Sequence, residues 1–164
     1  IRKLVHLIHN NYPKITIRTT FIIGFPGETR KQFNKLCDFI KTEKLDNVGF
    51  FTYSREEKTK AYFMKKQIPE FIKKLRLKKI QKIQEHISND INKAKIGKED
   101  IVIVDEFDAK AGYYVARTQN NSPEIDFYVI LESENLKIGD FYKIKLTNYK
   151  NGCFYGEVLN EFTK

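Results

Sequence analysis

Residues 15–25 read Ile-Thr-Ile-Arg-Thr-Thr-Phe-Ile-Ile-Gly-Phe, and the chain runs on through Pro26 and Gly27 to Glu28 and Thr29. The first nine of these are β-branched or aromatic except for Arg18, a composition that predicts a strand. The nearly continuous apolar end predicts burial on both faces, as in a parallel sheet. Two glycines and a proline then predict a turn. Residues 30–43 follow with Phe33, Leu36, Cys37, Phe39 and Ile40, the stripe of an amphipathic helix. Asn47-Val48-Gly49-Phe50-Phe51-Thr52-Tyr53 reads as a second strand. Strand, turn, helix and strand make a βαβ unit, so this part of the chain is α/β.

Working outward, residues 1–12 have the apolar rhythm of the end of a helix, stopped by Pro13. Residues 54–69 are irregular and charged. A long helix is predicted from Pro69 to Lys95, with Gly97 just beyond it. Leu77, Ile80, Ile83, Ile87, Ile91 and Ala94 give it a single apolar stripe, and Lys73, Lys74, Lys78, Lys79 and Lys82 are expected on its other faces. Those lysines read either as a solvated face or as a stripe that meets RNA. From residue 100 the period changes to two. Five strand candidates, 101–104, 113–116, 127–131, 141–146 and 154–158, are separated by turns such as Asn151-Gly152. Five short strands in so small a span predict a closed antiparallel barrel of the oligonucleotide-binding type, with a boundary near residue 96.

The composition agrees with a folded chain. Of 164 residues 41% are apolar, including 13 Phe and 9 Tyr, which is ample material for cores. No uncharged run approaches the length of a membrane span. Cys37 and Cys153 form neither a disulfide framework nor a zinc-type cluster, so two idle or buried thiols in a reducing, cytoplasmic setting are expected. The chain opens on Ile1-Arg2-Lys3, without an initiator Met or a signal peptide's apolar core, and reads as cut from something longer.

Charge is divided unevenly. Residues 1–95 carry 22 basic and 9 acidic side chains, whereas residues 96–164 carry 8 and 12. The net +9 therefore belongs to the first part, and the barrel is mildly acidic.

The candidate sites are few. The Gly24–Glu28 turn lies at the C-terminal end of a predicted parallel strand, where such sheets place ligands. Glu28 could offer its carboxylate to a hydroxyl or an amine, or could simply close a βα turn and cap the helix. No Gly-Lys-Ser/Thr follows, so it is not a phosphate loop. His6, His9 and His86 have no partnered Ser or Cys and read as core or surface histidines. Arg117 and the loop Ser122-Pro123-Glu124-Ile125-Asp126 could hold a partner at the barrel rim, or could be an exposed loop.

Taken in order, residues 17–29 (IRTTFIIGFPGET), 48–61 (VGFFTYSREEKTKA), 76–88 (RLKKIQKIQEHIS) and 122–126 (SPEID) resemble the C-terminal part of a radical-SAM methylthiotransferase. The Pro-Glu-Ile-Asp loop resembles the branch that modifies an aspartate of ribosomal small-subunit protein twelve. The glycine-proline turn is shared with the tRNA-modifying branch. Departures are Lys58 where the family has Gly, Asn121-Ser122 before the loop, and Phe127 after it.

The resemblance implies the C-terminal part of a radical-SAM α/β barrel over residues 1–66, a connecting helix over 67–95 and a TRAM β-barrel over 96–164. It implies S-adenosylmethionine and two [4Fe–4S] clusters in the full-length enzyme. Such clusters need cysteines that this chain lacks, so alone it should be inactive and hold no metal. By the same resemblance Arg18, Thr20, Gly24 and Glu28 approach adenosylmethionine, Phe51 and Tyr53 line its pocket, and Arg117, Glu124 and Asp126 hold the substrate. The acidic barrel suits a basic ribosomal protein, and the basic residues 1–95 suit ribosomal RNA. The alternatives are a tRNA methylthiotransferase fragment and a non-catalytic protein-binding module.

Overall fold

The computed structural model describes residues 1–123 and 126–162. They form two compact units, Ile1–Ser88 and Asn89–Lys164. In the first, β1 (Arg18–Ile23) and β2 (Asn47–Thr52) pair in parallel, from Arg18 opposite Asn47 to Ile23 opposite Thr52. The crossover between them is α2 (Arg30–Glu43), and α1 (Arg2–Asn11) precedes the sheet. The βαβ unit read from the sequence is therefore present.

Local chemistry sets the bounds of α2. Thr29 is its N-cap: the hydroxyl accepts from Gln32 N at 3.2 Å, and the Gln32 side chain accepts from Thr29 N at 2.8 Å. Thr29, not Glu28, thus caps the helix. Phe33, Cys37 and Ile40 are buried at helical spacing, with the Phe33 ring beside Arg76 and Lys79 further along the chain. The Phe21 ring stacks on Phe50 at 6.2 Å and meets Phe39 edge-on at 6.0 Å.

The sheet is covered on one face only, which corrects the expectation of two. Ile22 and Phe51, paired across the strands, are 57% and 64% exposed. Helices lie against one side of this two-stranded sheet, and alternation along each strand leaves the other row of side chains open.

After a 3-10 turn at Lys60–Phe63 comes α3 (Glu70–Lys93), and the division between the units falls inside it. Ile80 and Ile87 are buried as the stripe predicts. Lys73 is also buried, 4% exposed, and is not on a solvated face. It lies seven residues before Ile80 and so shares its side of the helix. Gln84, equally buried, donates to the Leu45 carbonyl at 2.9 Å and seats α3 on the connection between α2 and β2. Among the described residues no helix is long and apolar enough to cross a membrane.

The second unit is a closed five-stranded barrel: β3 (Glu99–Asp108), β4 (Tyr113–Thr118), β5 (Val129–Leu131), β6 (Phe141–Lys150) and β7 (Cys153–Glu161). Around the barrel the order is β3-β4-β5-β7-β6, with β6 closing on β3. The sequence predicted an antiparallel barrel, but β5 and β7 are parallel, with Val129 opposite Phe154. Strand directions cannot alternate all the way round a ring with an odd number of members, so at least one seam must be parallel. Inward-facing Val102, Val104, Ala116, Val129, Leu131, Ile144, Leu146 and Phe154 fill the core. The predicted Asn151-Gly152 turn joins β6 to β7, both residues with positive φ, as a tight two-residue hairpin demands.

Candidate functional site

The turn after β1 is held from several sides. Gly24 is buried with φ +77°, and Gly27 has φ +86°. The Glu28 carboxylate accepts from Gly24 N at 3.1 Å, closing the turn on itself. Arg76 of α3 donates to the Glu28 carbonyl at 3.1 Å and pairs with its carboxylate. Gly27 N donates to the Lys66 carbonyl at 2.9 Å. The carboxylate that the sequence offers to a ligand is thus engaged by protein groups, and it braces the turn.

Beside this brace lies a second one. Lys73 threads its aliphatic stem past Gly24, where an added Cβ would come within 2.3 Å of Lys73 Cγ. Its ammonium donates to the Tyr53 carbonyl at 2.7 Å, pairs with Glu70 and lies 5.6 Å from the Tyr53 ring centre. Tyr53 N in turn donates to the Ile23 carbonyl at 2.8 Å, just past the end of β2. The Tyr53 ring meets Phe25 edge-on at 5.4 Å, and its hydroxyl is buried with no hydrogen-bond partner. One helix therefore grips the C-terminal ends of both parallel strands, the end at which sheets of this type bind ligands.

Of the residues singled out from sequence, Gly24, Glu28 and Tyr53 come together through Lys73 and Arg76. Thr20 and Phe51 lie on the open face of the sheet. Arg18 stands at the opposite end of β1, about 16 Å away along an extended strand. The reading of the sequence did not single out Arg76 and placed Lys73 on a solvated face. Their signal is phase: they precede Ile80 by four and seven positions, on the stripe that packs inward.

In the second unit a cavity of about 550 Å³ opens beside β3 and β4. Asp105, Glu106, Asp108 and Asp126 line it together with Tyr113 and Arg117. Arg117 Nε donates to both carboxylate oxygens of Asp105, at 2.9 and 3.0 Å. Asp126 accepts from Ser122 N at 2.7 Å. Glu124 lies outside the described residues. Among the described lining residues, four carboxylates thus stand against one guanidinium, an excess of negative charge that favours cations electrostatically. Tyr128, also on the wall, has its hydroxyl pushed up to about 12, first by its hydrogen bond with Cys153 and by the charge that cysteine would carry.

Cys37 of α2 is buried, and burial raises its thiol pKa. Cys153 is half-buried. Among the described residues no group of His, Cys, Asp and Glu could hold a metal ion.

Comparison with known proteins adds two findings. Residues 96–159 match the family model of the TRAM domain. Nearly the whole chain is similar to ribosomal protein uS12 methylthiotransferases, RimO. That of Clostridium acetobutylicum is 44% identical over 161 residues, 98% of this chain and 36% of the relative. That of Clostridium perfringens is 42% identical over 157 residues, 96% of this chain and 35% of the relative. That of Cytophaga hutchinsonii is 39% identical over 158 residues, 95% and 36% respectively. The chain spans about a third of the length of the curated relatives it matches.

Proposed function

We propose that this chain is part of a RimO-type enzyme that methylthiolates an aspartate of ribosomal protein uS12 in the cytoplasm. Similarity at 39–44% identity over nearly the full chain carries the reading. The two units divide the work. The first contributes β1, β2 and their helices to a radical-SAM α/β barrel, and its open row at Thr20, Ile22 and Phe51 faces the interior. The second is the TRAM barrel that receives the substrate.

For adenosylmethionine the described residues offer a fit in one respect: the buried Tyr53 hydroxyl lacks a partner at the ligand-binding end of the sheet. Gly24 and Tyr53 would meet it at the strand ends, where Glu28 braces the turn, with Thr20, Phe51 and Arg18 along the open face. When bound, adenosylmethionine supplies the radical chemistry. For [4Fe–4S] clusters the described residues offer no fit, since both cysteines stand outside any ligand group. Both clusters would be held by cysteines of the longer protein, and this piece alone would be inactive.

Arg117, Glu124 and Asp126 would receive the substrate at the acidic cavity, because a basic ribosomal protein is electrostatically suited to it. Residues 1–95, with 22 basic side chains against 9 acidic, would meet ribosomal RNA if the substrate is modified on the subunit. The deciding experiment incubates the longer, cluster-loaded protein with uS12 and with tRNA, followed by mass spectrometry of both. A methylthio group on a uS12 aspartate supports the reading. A methylthio group on a tRNA base moves the chain to the other branch, and no transfer to either leaves a binding module.

A further inference from the structure

We propose that Lys73 and Arg76 are positioning residues for the adenosylmethionine site, through which α3 sets the geometry of both strand ends. This rests on the reading that the Gly24–Glu28 turn and Tyr53 approach that cofactor.

Neither side chain needs to reach the ligand. Arg76 takes the Glu28 carboxylate and carbonyl together, and both side chains are largely withdrawn from water, 14% and 13% exposed. The other oxygen of that carboxylate holds Gly24 N. Turning Glu28 therefore turns the Gly24 peptide, the first main-chain group after β1. Lys73 fixes the next strand in the same way, by holding the Tyr53 carbonyl while its stem fills the recess at Gly24. A buried ammonium is costly unless satisfied, and this one has a carbonyl, a carboxylate and a ring face. Simple attachment of a helix would need only apolar contact, which Ile80 and Ile87 already provide. Two cations have instead been brought to the one end of the sheet where ligands bind.

The test uses the longer protein with its clusters loaded. Calorimetric titration reads the Kd for adenosylmethionine, and melting temperature and cluster iron are read in parallel. Arg76→Gln should weaken binding roughly tenfold, the size of coupling that packed networks carry. In a Glu28→Gln background it should cost little more, because both substitutions break one link. Lys73→Met keeps a stem in the Gly24 recess, removes the ammonium and should also weaken binding. If Arg76→Gln does not fold, Arg76→Lys, which keeps the charge but not the forked geometry, should give an intermediate loss. Wild-type Kd with only a lowered melting temperature would overturn the proposal, as would an Arg76→Gln loss undiminished by Glu28→Gln. Weakened binding in Glu28→Gln with none in Arg76→Gln or Lys73→Met overturns this inference alone. Wild-type binding in Glu28→Gln removes the turn from the cofactor site and overturns both.

Discussion

Arg76 donates to the carbonyl and the carboxylate of Glu28, a residue forty-eight positions earlier, and so ties the turn after β1 to a helix that follows β2. Because Glu28 also accepts from Gly24 N, the ion pair and the turn geometry are one unit. Disturbances at either end should therefore be felt at the other.

Gly24 is the most sensitive point of that unit. Gly24→Ala forces a side chain onto φ +77° and drives a Cβ to 2.3 Å from Lys73 Cγ. Strain and overpacking together should cost about 2–4 kcal/mol. Gly27 has φ +86°, but a Cβ there would meet nothing within 4 Å, so Gly27→Ala should cost only about 1 kcal/mol. Urea unfolding of both variants checks this. Equal losses would show that Lys73 does not occupy the Gly24 recess.

In the barrel, Gly156 obeys the same logic. A Cβ there would come within 2.8 Å of Ile144 Cδ1 and 3.1 Å of Leu131 Cδ2, inside a filled core. Gly156→Ala should destabilise by about 1–3 kcal/mol. Ile144→Val, by removing the methyl in the way, should return part of that loss. Thermal melts of the single and double variants decide it, and simple additivity would sink the packing explanation.

Much of this architecture was legible because it rests on periodicity. The strand within 15–25, the helix that buries Phe33, Cys37 and Ile40, and the period-two runs after residue 100 each form the element their spacing advertises. What escaped depends on partners distant in sequence. The open face at Ile22 and Phe51 reflects what covers a sheet, which no local pattern records. The parallel β5–β7 seam follows from counting strands in a ring and could have been deduced. Lys73 was misplaced because its charge outweighed its phase, although a lysine stem packs as readily as an aliphatic side chain when its ammonium finds acceptors. Glu28 was legible as a feature of the turn, but not as a residue engaged by Arg76.

The acidic cavity predicts a kinetic signature. Glu106→Lys reverses one of four lining carboxylates without touching the Arg117–Asp105 pair. Association with a basic ribosomal protein should slow several-fold at low salt, and the difference should fade as salt screens it. Stopped-flow or surface-capture rates over a salt series check this. Unchanged association would remove the acidic cavity from the binding surface.

Tyr128 gives a pH prediction. Its hydroxyl ionises at about 12 because of Cys153 beside it, above the ordinary value of 10. A raised folded-state value means that the folded protein keeps a proton the unfolded chain gives up. Its contribution to stability is present below about 10 and is lost as pH rises towards 12. Cys153→Ala should return Tyr128 towards 10. Phenolate absorbance titration, with Tyr128→Phe identifying the signal, reads the shift. An unmoved titration in Cys153→Ala would remove the thiol as its cause.

The basic part of the chain predicts salt-dependent RNA binding. Lys74, Lys78 and Lys82 are exposed and follow one another at four-residue steps, so they form a row along one face of α3. A row at that spacing can follow phosphates, and each neutralised phosphate should contribute roughly −0.7 to −0.9 to the slope of log K against log salt. Replacing all three lysines with Gln should therefore flatten the slope by about two. The substitution leaves Ile80 and Ile87, which hold the helix down, untouched. Filter binding to ribosomal RNA across a salt series makes the measurement. A parent protein with no salt dependence would remove the RNA contact altogether. A slope unchanged by the triple substitution would move that contact off α3 to the other lysines of residues 1–95.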